Sequence, residues 1–372
     1  MTTIASTHST ILSTAARLRR WGTLLGVALA VILILGSSWD GDWHGRVGRD
    51  TFWIPPHLMI YSSITLFGLV ALGITAWTTL NVPKDAPGLL RLFGIQAPPG
   101  IALMGIGVVV SMMAAPFDDV WHRTFGIDVS IWSPPHFTGW VGFVVSFVGV
   151  LIALIQEFTE TRADAVFPRF KSPWALIAFA VTAGGLLRIA TIATFPGLSY
   201  SLSQNDTLLQ EVPIFHPFLF ALAASVFMVP MIALIYRLAG RRGLIAAVAG
   251  LIALAIVSMI FVNIFTPMLR EALGHPWRTS ADDTGTRDLF LLPALYSILP
   301  ALVALLFRPE RGARTGAIVG FVYWAQLAIY LVSVGRLEIG PAAGGLALCL
   351  SLGAATGWIG SRVGAKVIRW TP

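Results

Sequence analysis

Leu24-Leu25-Gly26-Val27-Ala28-Leu29-Ala30-Val31-Ile32-Leu33-Ile34-Leu35-Gly36 runs without a charge into Ser37-Ser38-Trp39-Asp40-Gly41-Asp42-Trp43-His44, and Trp53-Ile54-Pro55-Pro56-His57 opens a second apolar stretch. An apolar run of this length that ends in a short polar loop and then restarts is the pattern of paired membrane spans. Working outward, the same pattern recurs, with apolar spans expected at about 21–38, 56–80, 99–116, 135–156, 174–194, 213–236, 243–266, 289–307, 315–335 and 340–361. Composition agrees: 56% hydrophobic residues, 12% charged ones and a mean hydropathy of +0.78 leave too little polar surface to coat a soluble fold of 372 residues. The expected fold class is therefore all-α, a polytopic integral membrane helical bundle of about ten transmembrane helices.

A net charge of +7 would by itself suggest nucleic acid or acidic partners, but the placement of the basic residues points to the lipid surface and to no nucleic acid. With the N-terminus inside, seventeen of the 25 Lys and Arg fall in cytoplasmic segments, from Arg17, Arg19 and Arg20 to Arg362, Lys366 and Arg369. Seven fall on the other side (Arg46, Arg49, Arg123, Arg270, Arg278, Arg287 and Arg336), and Arg188 lies inside a span. The positive-inside rule then predicts a multi-pass protein of the cell (inner or plasma) membrane with both termini cytoplasmic and the Asp/His loops on the periplasmic or extracellular side. Residues 1–38 also have the outline of a signal peptide, an alternative that the repeat described next disfavours.

Laid against itself, the chain shows a period of about 80 residues. The loop Trp39-Asp40-Gly41-Asp42-Trp43-His44 to Pro55-Pro56-His57 matches Phe117-Asp118-Asp119-Val120-Trp121-His122 to Pro134-Pro135-His136. Both contain Asp-x-x-Trp-His, then an Asp (Asp50, Asp128) six residues on, then a Trp (Trp53, Trp132) four residues before the last His of Pro-Pro-His. Further steps of about 80 residues from His136 reach His216 and then Leu295, each at the start of an apolar span. Four copies of a two-span unit followed by one extra pair are expected. The divisions are a cytoplasmic tail at 1–20, a first repeat pair at 21–157 with both motifs, a degenerate second pair at 158–308, and a C-terminal helix pair with a basic tail at 309–372.

In each motif the Asp and the first His are four apart, so one helical turn puts both on one side, about 5–6 Å apart. Pro-Pro stops a helix from running through and starts the next, which returns the second His toward the pair. Two imidazoles and one carboxylate form a usable divalent metal site with open positions. Candidate ligands are Asp40, His44 and His57 in one site and Asp118, His122 and His136 in the other, with His216 a possible extra ligand. Asp50 and Asp128 are candidates to accept the second ring N–H of a ligand, or to pair with Arg49 and Arg123 instead. Trp43, Trp53, Trp121 and Trp132 are expected in the aromatic belt of the membrane interface, with metal shielding the lesser role. His8 and His275 read as solvated, Arg188 with Glu271, Asp282 and Asp283 as structural pairing, and the single cysteine, Cys349, as packing. No phosphate-binding Gly-rich loop, His-Glu-x-x-His, Gly-x-Ser-x-Gly or Cys-x-x-Cys-His string occurs.

These motifs resemble the C subunit of the copper membrane monooxygenases, the particulate methane and ammonia monooxygenases. That family carries Asp-x3-His-x12-His, with an Arg-Asp-Thr-x-Phe-x-Pro-x-His run leading to the second His. Here Asp40, His44 and His57 have that spacing, with Arg49-Asp50-Thr51 and Pro55-Pro56-His57 in register and Phe52 one place before the run's Phe, where Trp53 stands. The family's other site, Asn-x3-His-x13-His, has its counterpart in Asp118, His122 and His136, with Asp in place of Asn. The likeness covers residues 36–140 and fades beyond them. It implies copper as the metal, with Zn or Fe as other possibilities, partner membrane subunits, and oxidation of a small apolar substrate with O2 near the outer face. The family's C subunit has fewer spans and works beside a subunit with a soluble cupredoxin-like part, which this sequence does not contain. Other readings are metal binding, transport or assembly without catalysis, and heme ligation by His57 and His136. The scarcity of ionisable residues along the spans disfavours transport.

Overall fold

The computed structural model describes residues 2–47, 53–125, 133–160, 167–202, 219–277, 285–308, 310–333, 335 and 337–369, with side chains described outside 2–10, 122, 195–202, 219–220, 285–293 and 369. Among the described residues the helices are α1 (Thr2–Arg46), α2 (Pro55–Asn81), α3 (Pro99–Phe125), α4 (Pro134–Phe158), α5 (Pro173–Leu202), α6 (Leu219–Ala272), α7 (Gly285–Ala304), α8 (Gly312–Ser333) and α9 (Ile339–Arg369). Two short antiparallel ribbons interrupt them: β1 (Leu90–Leu92) with β2 (Ile95–Ala97), and β3 (Thr159–Glu160) with β4 (Arg169–Phe170). The all-helical expectation therefore holds except in two loops, where β pairing satisfies backbone groups that no helix covers.

Eight of these helices are long and apolar enough to cross a membrane. Their outward faces are apolar as well: Leu58, Leu66, Leu69 and Leu72 on α2, Ile106, Val109, Met112 and Met113 on α3, and Ile256, Ile260 and Ile264 on α6 are all exposed. A helix that is apolar on its free side as well as its packed side suits lipid, and this is the architecture of a multi-pass membrane protein.

A straight α6 of 54 residues would be about 81 Å long, far beyond the roughly 30 Å hydrocarbon layer. It folds back at Gly240, where φ is 64° and ψ is −161°. Phe227 in the first half packs on Trp140 near the start of α4. Tyr236 and Arg237, close to the turn, reach Phe307 and Glu310, and Thr266 in the second half comes back to Asp42 near the end of α1. Glycine is required at the turn twice over, by its positive φ and because a Cβ there would lie 2.7 Å from the Phe167 ring. The expected break between spans 213–236 and 243–266 coincides with this turn; residues 213–218 lie outside the described ones.

Antiparallel pairs of helices carry the packing. Between α3 and α4, Gly100, Gly107, Gly142 and Gly149 bring the backbones together, so that a Cβ on Gly107 would meet Gly142 O at 2.5 Å. Gly312, Gly316 and Gly320 of α8 face Gly353, Gly357 and Cys349 of α9 in the same way. On α2 and α3, Gly68 faces Val108 and Ala71 lies beside Gly105. Continuing that antiparallel register puts the first turn of α2 level with the last turn of α3, so both motifs sit at one end of the bundle. At the other end Arg19 of α1 pairs with Glu157 of α4 at 2.6 Å.

Residues 2–20, expected as a tail, continue α1 as helix. Cys349 is buried, as its packing role requires, with its backbone against Gly320.

Candidate metal centre

α1 stays helical past the apolar run to Arg46, which holds Asp40 and His44 one turn apart on one face. α2 begins with Pro55 and Pro56 at its first two helical positions, where their missing N–H groups leave no donor unsatisfied. Ile54 precedes them in extended conformation, and the Leu58 N–H donates to Ile54 O at 3.1 Å. His57 therefore projects from the first turn of α2 toward the end of α1.

His57 Nε2 lies 3.0 Å from Asp40 Oδ1, and His44 Nε2 lies 3.3 Å from the same oxygen. The imidazole rings are 5.8 Å apart, and one ligand atom from each of the three residues lies within 4.8 Å of the others. Asp40 Oδ1 is buried without a well-formed hydrogen bond. Donor atoms about 2.0–2.2 Å from a shared ion lie roughly 3–4 Å apart, so this set fits a transition-metal ion with little movement. His57 is buried, and Tyr61, one turn further along α2, lies with its ring 5.5 Å from that of His57.

The second motif is brought together in part. His136 Nε2 lies 3.0 Å from Asp118 Oδ1, and α4 starts on Pro134 and Pro135 behind an extended Ser133, as α2 does behind Ile54. His122 follows Asp118 by one turn of α3, but its side chain lies outside the described ones. Asp50, Asp128, Trp132 and His216 also lie outside the described residues.

Sequence reasoning missed the support of the first motif. Asp42 points away from Asp40 into a buried position, where Arg46 donates to its Oδ2 at 2.7 Å and the Thr266 hydroxyl donates to the same oxygen at 2.6 Å. Arg46 and Arg270 both lie against the Trp277 ring, at 5.5 and 4.3 Å. The Asp42–Arg46 spacing of four was a legible signal for an ion pair on another face of α1. Thr266, remote in the chain, was not legible.

Two expectations are corrected here. Trp43 is 0% exposed and packs with Trp39, Val47, Ile54 and Val262, because the second half of α6 covers this end of α1; it is core rather than interfacial belt. His275 is half-buried with its ring 6.0 Å from that of Trp43, so it is not simply solvated. Trp53 is exposed, as a belt residue would be. Arg188 is buried and donates to the Thr191 hydroxyl at 3.1 Å.

Compared with protein-family models, curated proteins and solved structures, the chain has no match.

Proposed function

We propose that this chain is a copper-binding integral membrane protein that works as, or within, an oxygenase acting on a small apolar substrate. The observation that carries the metal half of this reading is the convergence of Asp40 Oδ1, His44 Nε2 and His57 Nε2 from two helix ends. The choice of copper, and of oxygen chemistry, rests on the resemblance of the motif spacings to the copper membrane monooxygenases. Bound copper would supply the redox chemistry that amino-acid side chains lack. The protein's own part is to hold two neutral imidazoles and a carboxylate in a fixed arrangement, and to exclude bulk water by burying His57.

Asp118, His122 and His136 form the second site in this reading, and Asp118, standing where the family has an amide, makes that site more anionic. The proposal also includes ten spans in four two-span units plus one extra pair, both termini in the cytoplasm, the motifs on the outer side, and partner membrane subunits.

The test is elemental analysis of protein purified in lipid, alongside O2 uptake with short-chain apolar substrates. Copper bound at about one equivalent per intact triad, with O2 uptake lost in His44→Ala, supports the whole reading. Copper bound without O2 uptake in any reconstituted complex leaves metal capture or assembly as the function. Unchanged metal content in His44→Ala and His57→Ala would sink the reading.

A further inference from the structure

The ribbon between α2 and α3 is turned the wrong way round for a protein in water. Its register pairs Leu90 with Ala97, Arg91 with Gln96 and Leu92 with Ile95, which puts Leu90, Leu92, Ile95 and a buried Ala97 on one face and Arg91 with Gln96 on the other. Phe93 and Gly94 are the central residues of a two-residue hairpin turn, and both have positive φ, 50° for Phe93 and 81° for Gly94. Gln96, the polar member, is the one that packs inward: its side-chain amide donates to Thr78 O at 3.2 Å and Val82 O at 2.6 Å, and its backbone N–H donates to the Thr79 hydroxyl. Those carbonyls belong to the last turn of α2 and its cap, so the ribbon is fastened level with the end of that helix. Leu90, Leu92 and Ile95 are left uncovered, and Phe93 at the tip is 94% exposed.

Depth follows from length. α2 has 27 residues, about 40 Å, which is close to the full thickness of a bilayer with its headgroups. A ribbon fastened to its last turn lies at the headgroup boundary rather than out in water. Leu80, in that same last turn, is also exposed, so the uncovered face continues the lipid-facing surface of α2. Lys84 is exposed in the same loop and Arg91 is exposed on the ribbon's other face, where its guanidinium donates to Ala86 O; Asp85 is the single acid in the loop.

We propose that the β1–β2 ribbon is a membrane-interface anchor, with Leu90, Leu92, Phe93 and Ile95 seated in the acyl boundary of the leaflet opposite the Asp/His motifs and Lys84 and Arg91 among its headgroup phosphates. Apolar side chains and basic residues in this arrangement are what an interfacial lipid surface takes up. The anchor fixes the end of α2, the helix that carries His57 at its other end. It does not depend on the metal reading.

Because Cys349 is buried, the chain itself serves as the unlabelled background for a single added cysteine. Phe93→Cys and, separately, Ile95→Cys are spin-labelled in lipid nanodiscs containing anionic lipid. Collision with O2 and with a water-soluble nickel chelate is then measured, with Leu69→Cys as a lipid-facing control and Gly88→Cys as a loop control. The anchor requires both ribbon positions to favour O2 over the nickel chelate several-fold more than position 88, approaching position 69. Nickel accessibility equal to position 88 would place the ribbon in water and overturn the proposal. Protection from both reagents, with an immobilised spectrum, would show it covered by protein and overturn it equally.

Discussion

Asp42 and Asp119 stand beside the two motif aspartates, each four residues before an arginine with which it makes a 2.7 Å ion pair. The Asp42 side chain is 1% exposed, and its oxygen also accepts from Thr266 of α6. The Asp119 side chain is 40% exposed and its partner Arg123 is 77% exposed. The tryptophans differ in the same sense: Trp43 is sealed beneath α6, whereas Trp121 has ring contacts with Phe117 and Phe125 of its own helix. His57 is buried, while the His136 side chain is 26% exposed. The second half of α6 returns to pack on the end of α1, and among the described residues α3 has no comparable cover from it. Near-identical motifs thus acquire different settings from a helix that belongs to neither, and the first becomes the enclosed, braced site.

The largest consequence is in metal binding. Removing a ligand from the braced site, by Asp40→Ala or His57→Ala, is expected to weaken metal binding there by more than about a hundredfold, above what loss of a supporting group does. Asp118→Ala and His136→Ala should leave that site loaded, and competitive chelator titration in lipid reads both outcomes. If all four variants lost the same metal, the two motifs would be one site and the contrast would fail.

Next in size is stability. Asp42→Ala leaves Arg46 without its buried partner and is expected to cost about 3 kcal/mol, whereas Asp119→Ala should cost less than about 1 kcal/mol. Unfolding titrations in mixed micelles compare the pair, and equal losses would show that α6 does not brace the first motif. Thr266→Val removes one hydrogen bond to a charged oxygen and is expected to cost about 1.5 kcal/mol in the same assay. The smallest effect is that of mild acid. A ligating imidazole must be neutral, so metal binding should weaken on acidification as protons compete for the histidines. A metal affinity that is independent of pH would argue against histidine ligation.

Much of this was legible beforehand because it is local. Pro55-Pro56 and Pro134-Pro135 announce helix starts by their backbone chemistry, and Asp40 with His44 declare a shared face by spacing alone. The burial of Trp43 and the bond from Thr266 to Asp42 were hidden, because they depend on where a helix much later in the chain is laid down. The turn at Gly240 is intermediate. The polar break Arg241-Arg242 shows that a span ends there, but only the backbone reveals that one glycine suffices to reverse the chain. The β1–β2 ribbon falls between the expected spans 56–80 and 99–116, and its short strands, with Gln96 turned inward, carry no strand signal in the sequence.

The central claim, that Asp40, His44 and His57 bind one metal ion, is tested most directly by electron paramagnetic resonance of the His122→Ala/His136→Ala protein, whose second motif is disabled, loaded with one equivalent of Cu(II) in lipid. Nitrogen hyperfine structure from two imidazoles is predicted in that background, reduced to one when His57→Ala is added. The same two-nitrogen spectrum after Asp40→Ala, His44→Ala and His57→Ala are all added would contradict it.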